Sequence, residues 1–152
     1  MNLSHEKYMK LALIEAKKAG QMGEVPIGAI LVSENGAILS ATHNRTIDLV
    51  DPTAHAEILA LREAALIANN YRLLNTTLYV TVEPCIMCMG AIVHGRISKV
   101  VFGAADPKWG AAGSLYHFAE DERLNHRVAI TKGVCEQECR SLMQEFFRAK
   151  RD

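Results

Sequence analysis

The sequence predicts an α/β protein, a three-layer α/β/α sandwich around a central mixed five-stranded sheet. Five short runs rich in branched apolar residues are separated by segments of helical periodicity. Strands alternating with helices place helices on both faces of a sheet. The 152 residues, 49% of them hydrophobic, suffice for one real core without disulfides. No internal repeat, low-complexity segment or linker interrupts the chain, so a single domain over 1–152 is expected.

Ser4 is a suitable N-cap for a first helix whose formers run through Tyr8, Leu11, Ala12 and Glu15 to Ala19, with Gly20 and Gly23 as stops. Ile27 to Val32 is a branched apolar strand. Glu34-Asn35-Gly36 turns the chain, and Ala37 to Thr42 returns as the second strand of a hairpin. Asp51-Pro52-Thr53 then opens a helix with apolar Ile58, Leu59, Ala65 and Leu66, ending at Asn69-Asn70 and carrying His55 and Glu57 in its first turn. Thr76 to Val82 is a buried strand, and Pro84 opens a short helix bearing Cys85 and Cys88. Val100 to Gly103 and Val128 to Lys132 complete the strands, either side of a Gly-rich loop through Trp109, Gly110 and Gly113. Glu136 to Arg148 forms a last amphipathic helix.

Seventeen basic and seventeen acidic residues balance, which excludes a protein that coats nucleic acid through bulk charge. Any nucleic-acid contact is local, with candidates at His94/Arg96/Lys99, Asn125-His126-Arg127 and Arg148 to Arg151, each of which is also an ordinary solvated surface. No signal-peptide pattern and no bilayer-length apolar run is present, so a cytoplasmic protein without membrane contact is expected. In such a reducing compartment Cys85-x-x-Cys88 reads as metal-binding or redox rather than as a disulfide. Cys135 and Cys139, spaced i, i+4, read as part-buried thiols.

His55-Ala56-Glu57 and Pro84-Cys85-Ile86-Met87-Cys88 together offer three zinc-type ligands and one spare carboxylate. Structural zinc sites close with four protein ligands, whereas catalytic ones keep three and leave a position for water. H-x-E with P-C-x-x-C is the established signature of zinc deaminases acting on nucleobases. Both motifs fall at helix starts, where unpaired amides and the dipole favour thiolates. Cys85 and Cys88, three apart, share a helical face, so both sulfurs can reach one Zn²⁺ at roughly 2.3 Å with His55 nitrogen at roughly 2.0 Å. Water on that zinc acidifies from about 15.7 toward 7, giving hydroxide to attack the amine-bearing carbon. Glu57 is the expected proton shuttle, carrying the proton to the ring nitrogen and then to the departing ammonia. His-x-Glu alone is commonplace, and Cys-x-x-Cys alone serves redox folds and zinc ribbons. The specific rival is a structural, non-catalytic zinc module with Cys135 or Cys139 as fourth ligand.

With these motifs in place, the sequence resembles the bacterial tRNA-specific adenosine deaminases of the cytidine-deaminase-like superfamily along nearly its whole length. The resemblance is carried by Glu24 to Ala29, His43-Asn44-Arg45, Pro52 to Glu57, Asn70 to Leu73, Thr77 to Thr81 and Glu83 to Cys85 on to Gly90-Ala91. It continues through Arg96-Ile97, Val100 to Gly103, Gly110 to Leu115, Asn125-His126-Arg127 and Phe146-Phe147. It implies a cytidine-deaminase-like fold, one Zn²⁺ per subunit and conversion of the anticodon wobble adenosine of tRNA to inosine. It further implies that Asn44 and the backbone amide of Ala56 read the flipped purine, and that Ile27 and Phe147 line the base pocket. Asp106 and Lys108 would contact the sugar and phosphate of flanking nucleotides, with His126 or Arg127 on the anticodon loop. A homodimer with the anticodon stem-loop lying across both subunits is implied too. Ala105 and Trp109 depart from the family's usual residues, and Trp109 either packs on its own subunit or stacks on an RNA base. The alternative activity is deamination of a free base or nucleoside, guanine or cytosine, with a C-terminal lid in place of the terminal helix expected here.

Overall fold

The computed structural model describes residues 3–151. Its sheet has the strand order β2-β1-β3-β4-β5. The strands are β1 (Gly28–Val32), β2 (Ile38–His43), β3 (Thr77–Val82), β4 (Lys99–Ala104) and β5 (Ala129–Lys132). β1 is antiparallel to both β2 and β3, while β3, β4 and β5 run parallel, so the five-stranded sheet is mixed as predicted. The β1–β2 hairpin turns at Gly36, whose φ of 88° lies in the left-handed region and whose N–H donates to Ser33 O at 3.0 Å.

The helices are α1 (Leu3–Gln21), α2 (Ala56–Ala68), α3 (Ile86–His94) and α4 (Glu136–Arg151). Alternation along the strands sorts the core into two layers. Ala29, Leu31, Leu78, Val80, Val100 and Phe102 face α2 and α3, with Ala56, Ala60, Met89 and Ile92. Ile30, Val32, Tyr79 and Val101 face α1 and α4, with Met9, Ala12, Leu13 and Cys139. The three-layer arrangement follows directly. α1 approaches β1 so closely that a Cβ on Gly28 would lie 2.0 Å from Ala12 O.

Element ends differ from the sequence prediction in informative ways. α1 already includes Ser4 and continues past Gly20 to Gln21, so Ser4 sits in the helix rather than capping it. α2 begins at Ala56, not Thr53, because Asp51 folds the preceding residues into a turn, accepting from Thr53 N at 2.9 Å and Thr53 Oγ1 at 2.7 Å. Its buried face is Ala56, Glu57, Ile58, Ala60 and Ala64, whereas Leu66 is 83% exposed. The helix stops where predicted, at Asn69 in the left-handed conformation with φ 51°. A short 3-10 turn at Phe118–Glu120 was not evident from periodicity. No helix among the described residues is long and apolar enough to cross a membrane.

Candidate functional site

Two helix N-termini converge at the end of the sheet where β3 finishes. His55 is the N-cap of α2 and Cys85 the N-cap of α3, both with extended backbone and neither capping with its side chain. Those side chains turn instead toward one another. His55 Nδ1 lies 3.6 Å from Cys85 Sγ and 3.5 Å from Cys88 Sγ, and the three donor atoms are all within 4.8 Å of one another. Cys85 therefore reaches the cluster from the cap position, one residue before the helix expected to carry it.

The cluster can be tested against zinc from its own geometry. Tetrahedral coordination with Zn–S near 2.3 Å and Zn–N near 2.0 Å sets nitrogen and sulfur about 3.5 Å apart. The observed separations match that value. Among the described residues no fourth ligand joins the group. Cys139 packs in the α1–α4 layer with Cys135 against it, across the sheet from α2 and α3, which removes both as closing ligands. A nitrogen, two soft sulfurs and one open position suit a zinc site that keeps a place for water.

Glu57 stands at the second position of α2, 4% exposed, and its Oε1 is a buried polar atom without a hydrogen-bond partner. Burial pushes its pKa up to about 7, only partly countered by its own backbone amide and by His55. A carboxyl so placed can hold or release a proton near neutrality. In the ligand pair, Cys85 is held down to about 4 by the hydrogen bond from Cys88, whose own thiol is driven upward by that bond and by burial. His55 is raised, chiefly by its contact with Cys85.

The predicted base-reading residues are tied by backbone hydrogen bonds to the approach to this cluster. Asn44 follows β2 directly, its N–H donating to Ile27 O at 3.0 Å. Arg45 N–H donates to Ala54 O at 3.0 Å, tying this stretch to the approach to His55. Asn44 is 5% exposed, and its carboxamide makes no hydrogen bond within the described residues. Ala56, fully buried, opens α2, so its N–H has no acceptor within the helix. Its carbonyl accepts from Thr42 Oγ1 at 2.7 Å, which fastens α2 to β2. Ile27, Asn44, Ala56, Glu57 and the three candidate ligands thus share one neighbourhood.

The remaining predicted residues are placed differently. Asp106 caps a turn, its Oδ1 accepting from Lys108 N at 3.0 Å and Trp109 N at 3.2 Å, so this carboxylate is engaged by its own loop. Lys108 is exposed. Phe147 lies on α4 in edge contact with Phe146 at 5.3 Å and 44% exposed, with no contact in the described residues that brings it to the cluster. His126 donates Nε2–H to Ile97 O at 2.6 Å, leaving Arg127 the exposed member of that pair.

Two buried glutamates that sequence reasoning gave no role hold the rims of the site. Glu83, 3% exposed and two residues before Cys85, accepts from the backbone of Asp106, Ala112 and Ser114 at 3.0 to 3.1 Å and from the Ser114 hydroxyl. Burial alone would raise its pKa, but these hydrogen bonds outweigh it and keep the carboxyl below the usual range. Gly110 must lack a side chain here, since a Cβ would sit 2.3 Å from the Glu83 carboxyl carbon. The residue in turn pairs with Cys85, and Ala111 N–H donates to Pro84 O at 2.8 Å. Glu24, 1% exposed, likewise accepts from Thr46 Oγ1 and from the backbone of Ile47 and Asp48, fixing the loop after Asn44. The available signal was an acidic residue directly before each of the motifs Val25-Pro26 and Pro84-Cys85.

Comparison with known proteins points the same way. Residues 3–104 match the cytidine and deoxycytidylate deaminase zinc-binding region. The chain is 51% identical to a tRNA-specific adenosine deaminase of Haemophilus influenzae, over 97% of this chain and 85% of that protein. It is 49% identical to one of Bacillus subtilis, over 96% and 90%. A solved structure from studies of A-to-I editing by tRNA:A34 deaminases at the wobble position superposes with a TM-score of 0.86 at 43% identity, covering 90% of this chain and 98% of that one. A guanine deaminase from Nitrosomonas europaea, 22% identical with a TM-score of 0.81 over 93% and 83% of the two chains, shares the fold.

Proposed function

The chain belongs to the cytidine and deoxycytidylate deaminase zinc-binding family, and from that membership we infer that it is a hydrolase converting the wobble adenosine of a tRNA anticodon to inosine. The observation that carries the chemistry is a buried carboxylate with an unpartnered oxygen beside a three-ligand cluster of zinc dimensions. His55, Cys85 and Cys88 hold the metal. Bound there, zinc supplies Lewis-acid activation of a water.

The chain's own groups do the rest. Glu57 takes a proton as water adds to the amine-bearing carbon and passes it to the ring nitrogen. It then takes the second proton to the leaving amine, the C–N bond breaks, and a carbonyl and ammonia result. Asn44 and the free N–H of Ala56 orient the purine and Ile27 covers it, while Phe147, exposed on α4, meets the bound RNA outside the ligand cluster. Lys108 meets backbone phosphate, and Asp106 shapes the turn that presents it. An anticodon loop suits such a site because its unpaired bases can be splayed out at small unstacking cost, so neutral net charge is no obstacle.

The protein acts as one domain over 1–152, in the cytoplasm, where thiolate ligands stay reduced. Two copies associate into a homodimer. Exposed Ile47, Leu49 and Val50 on the loop before α2, with exposed Leu66 and Ile67 on α2 itself, support this. Sedimentation of a species of twice the 16.8 kDa chain mass is the expected result. The activity test is incubation of zinc-loaded protein with an anticodon stem-loop containing a wobble adenosine, beside free adenosine, cytidine and guanine. Inosine should form in the stem-loop alone; ammonia from free guanine or cytidine instead would establish the free-base reading.

A further inference from the structure

Trp109 is the chain's single tryptophan and is 66% exposed. Within the described residues no aromatic ring or cation pairs with its indole. Tyr116, exposed on the same loop, is already stacked on Phe118 at 5.5 Å and 11°. The backbone that carries Trp109 is fixed in place. Its N–H is tied to Asp106 Oδ1 at 3.2 Å, Gly110 N–H donates to Asp106 O at 2.8 Å, and Asp106 N–H donates to buried Glu83 at 3.0 Å. The next residue, Gly110, pairs with Cys85 of the ligand cluster. A large apolar ring is therefore exposed to water on a fixed backbone ledge one residue from the site, and the exposed Lys108 precedes it directly in the chain.

An aromatic platform next to a cation is how unpaired nucleic acid is gripped without reading its sequence, since every base has a face to stack. Resting on the deaminase reading above, we infer that Trp109 is a stacking platform for the nucleotide adjoining the deaminated adenosine. It would act mainly in binding, and with little regard to which base stands there. The site so extended takes single-stranded RNA rather than an isolated nucleoside.

The sole tryptophan makes the contact directly observable. Zinc-loaded Glu57→Ala protein, which binds without turnover, is titrated with the wobble-adenosine stem-loop while indole fluorescence is followed; saturable quenching is expected. In the active enzyme Trp109→Ala should lower kcat/KM by about 5- to 100-fold, mostly through KM. Trp109→Phe should restore most of that loss. The difference between wild type and Trp109→Ala should vanish on stem-loops carrying an abasic nucleotide beside the adenosine. Unquenched fluorescence with an unchanged KM in Trp109→Ala, on a stem-loop that wild type deaminates, overturns the platform alone. A fluorescence change driven by protein concentration without RNA overturns it too, by assigning the ring to a second copy of the chain. Failure of wild type to form inosine in the stem-loop overturns both this inference and the deaminase reading beneath it.

Discussion

Glu57 is two residues from His55, yet it stays out of the ligand set because α2 has begun and its carboxyl is turned into the buried layer. A proton carrier differs from a ligand in what its loss does to the metal. Glu57→Ala should retain the fold and one zinc per chain by elemental analysis, while deamination falls by at least about 10²- to 10⁴-fold. A zinc-free variant would make Glu57 a ligand and end the mechanism above. Lys108 is a simpler case, an exposed ammonium beside a rigid turn. Lys108→Ala should raise KM for the stem-loop with a smaller change in kcat, as expected for a contact made equally in ground and transition states. Steady-state kinetics at fixed ionic strength decide it, and an unchanged KM removes Lys108 from the RNA surface.

Among the elements, α1 is set by its closeness to β1. A methyl on Gly28 would meet Ala12 O at 2.0 Å, Ala16 N at 2.6 Å and Glu15 Cβ at 2.9 Å, and helix backbone cannot swing aside as a side chain can. Gly28→Ala should cost about 1–3 kcal/mol or more and lower the thermal midpoint accordingly, because α1 must lift from the sheet. A midpoint within a degree of wild type would show that the helix shifts freely. β1 is also hydrogen-bonded at this point to the site-bearing strand, Gly28 N–H donating to Thr81 Oγ1 at 3.1 Å. The strain should therefore reach activity as well as stability. Glu15, on the same stretch of α1, joins it to β2 through His43 Nδ1 at 2.9 Å and to Lys18 at 2.7 Å. Burial raises its pKa, but the hydrogen bonds from Lys18 and His43 outweigh it and hold the carboxyl below its ordinary value near 4.5. A depressed carboxylate stabilises the fold above its unfolded-state pKa and loses that contribution as pH falls through the lower folded value. Urea midpoints of Glu15→Gln and wild type should therefore differ at neutral pH and draw together as pH falls below 4.5 and on through the lower folded value; a constant gap would refute the linkage.

For the molecule as a whole, the order of strands and helices was legible because the period changes from two to 3.6 along the chain. Branched runs marked all five strands, Asn35-Gly36 marked the hairpin, and Asn69 marked the end of α2. Ligand types and their spacing were equally plain. Their exact seating was not: an Asp51 side-chain turn delayed α2 and put His55 in the cap, and no periodicity argument carries that local competition. The roles of Glu24 and Glu83 were hidden for a related reason. A buried acid becomes intelligible only when the amides of a loop more than twenty residues away are seen to surround it. The cluster itself spans thirty residues between two helix starts and is separated in sequence by all of β3, which lies between β1 and β4. In an unfolded chain only the two thiols are near neighbours, and drawing the imidazole to them means closing a loop of thirty residues against entropy. The folded sheet meets that entropic cost in advance, so ion affinity should fall together with global stability.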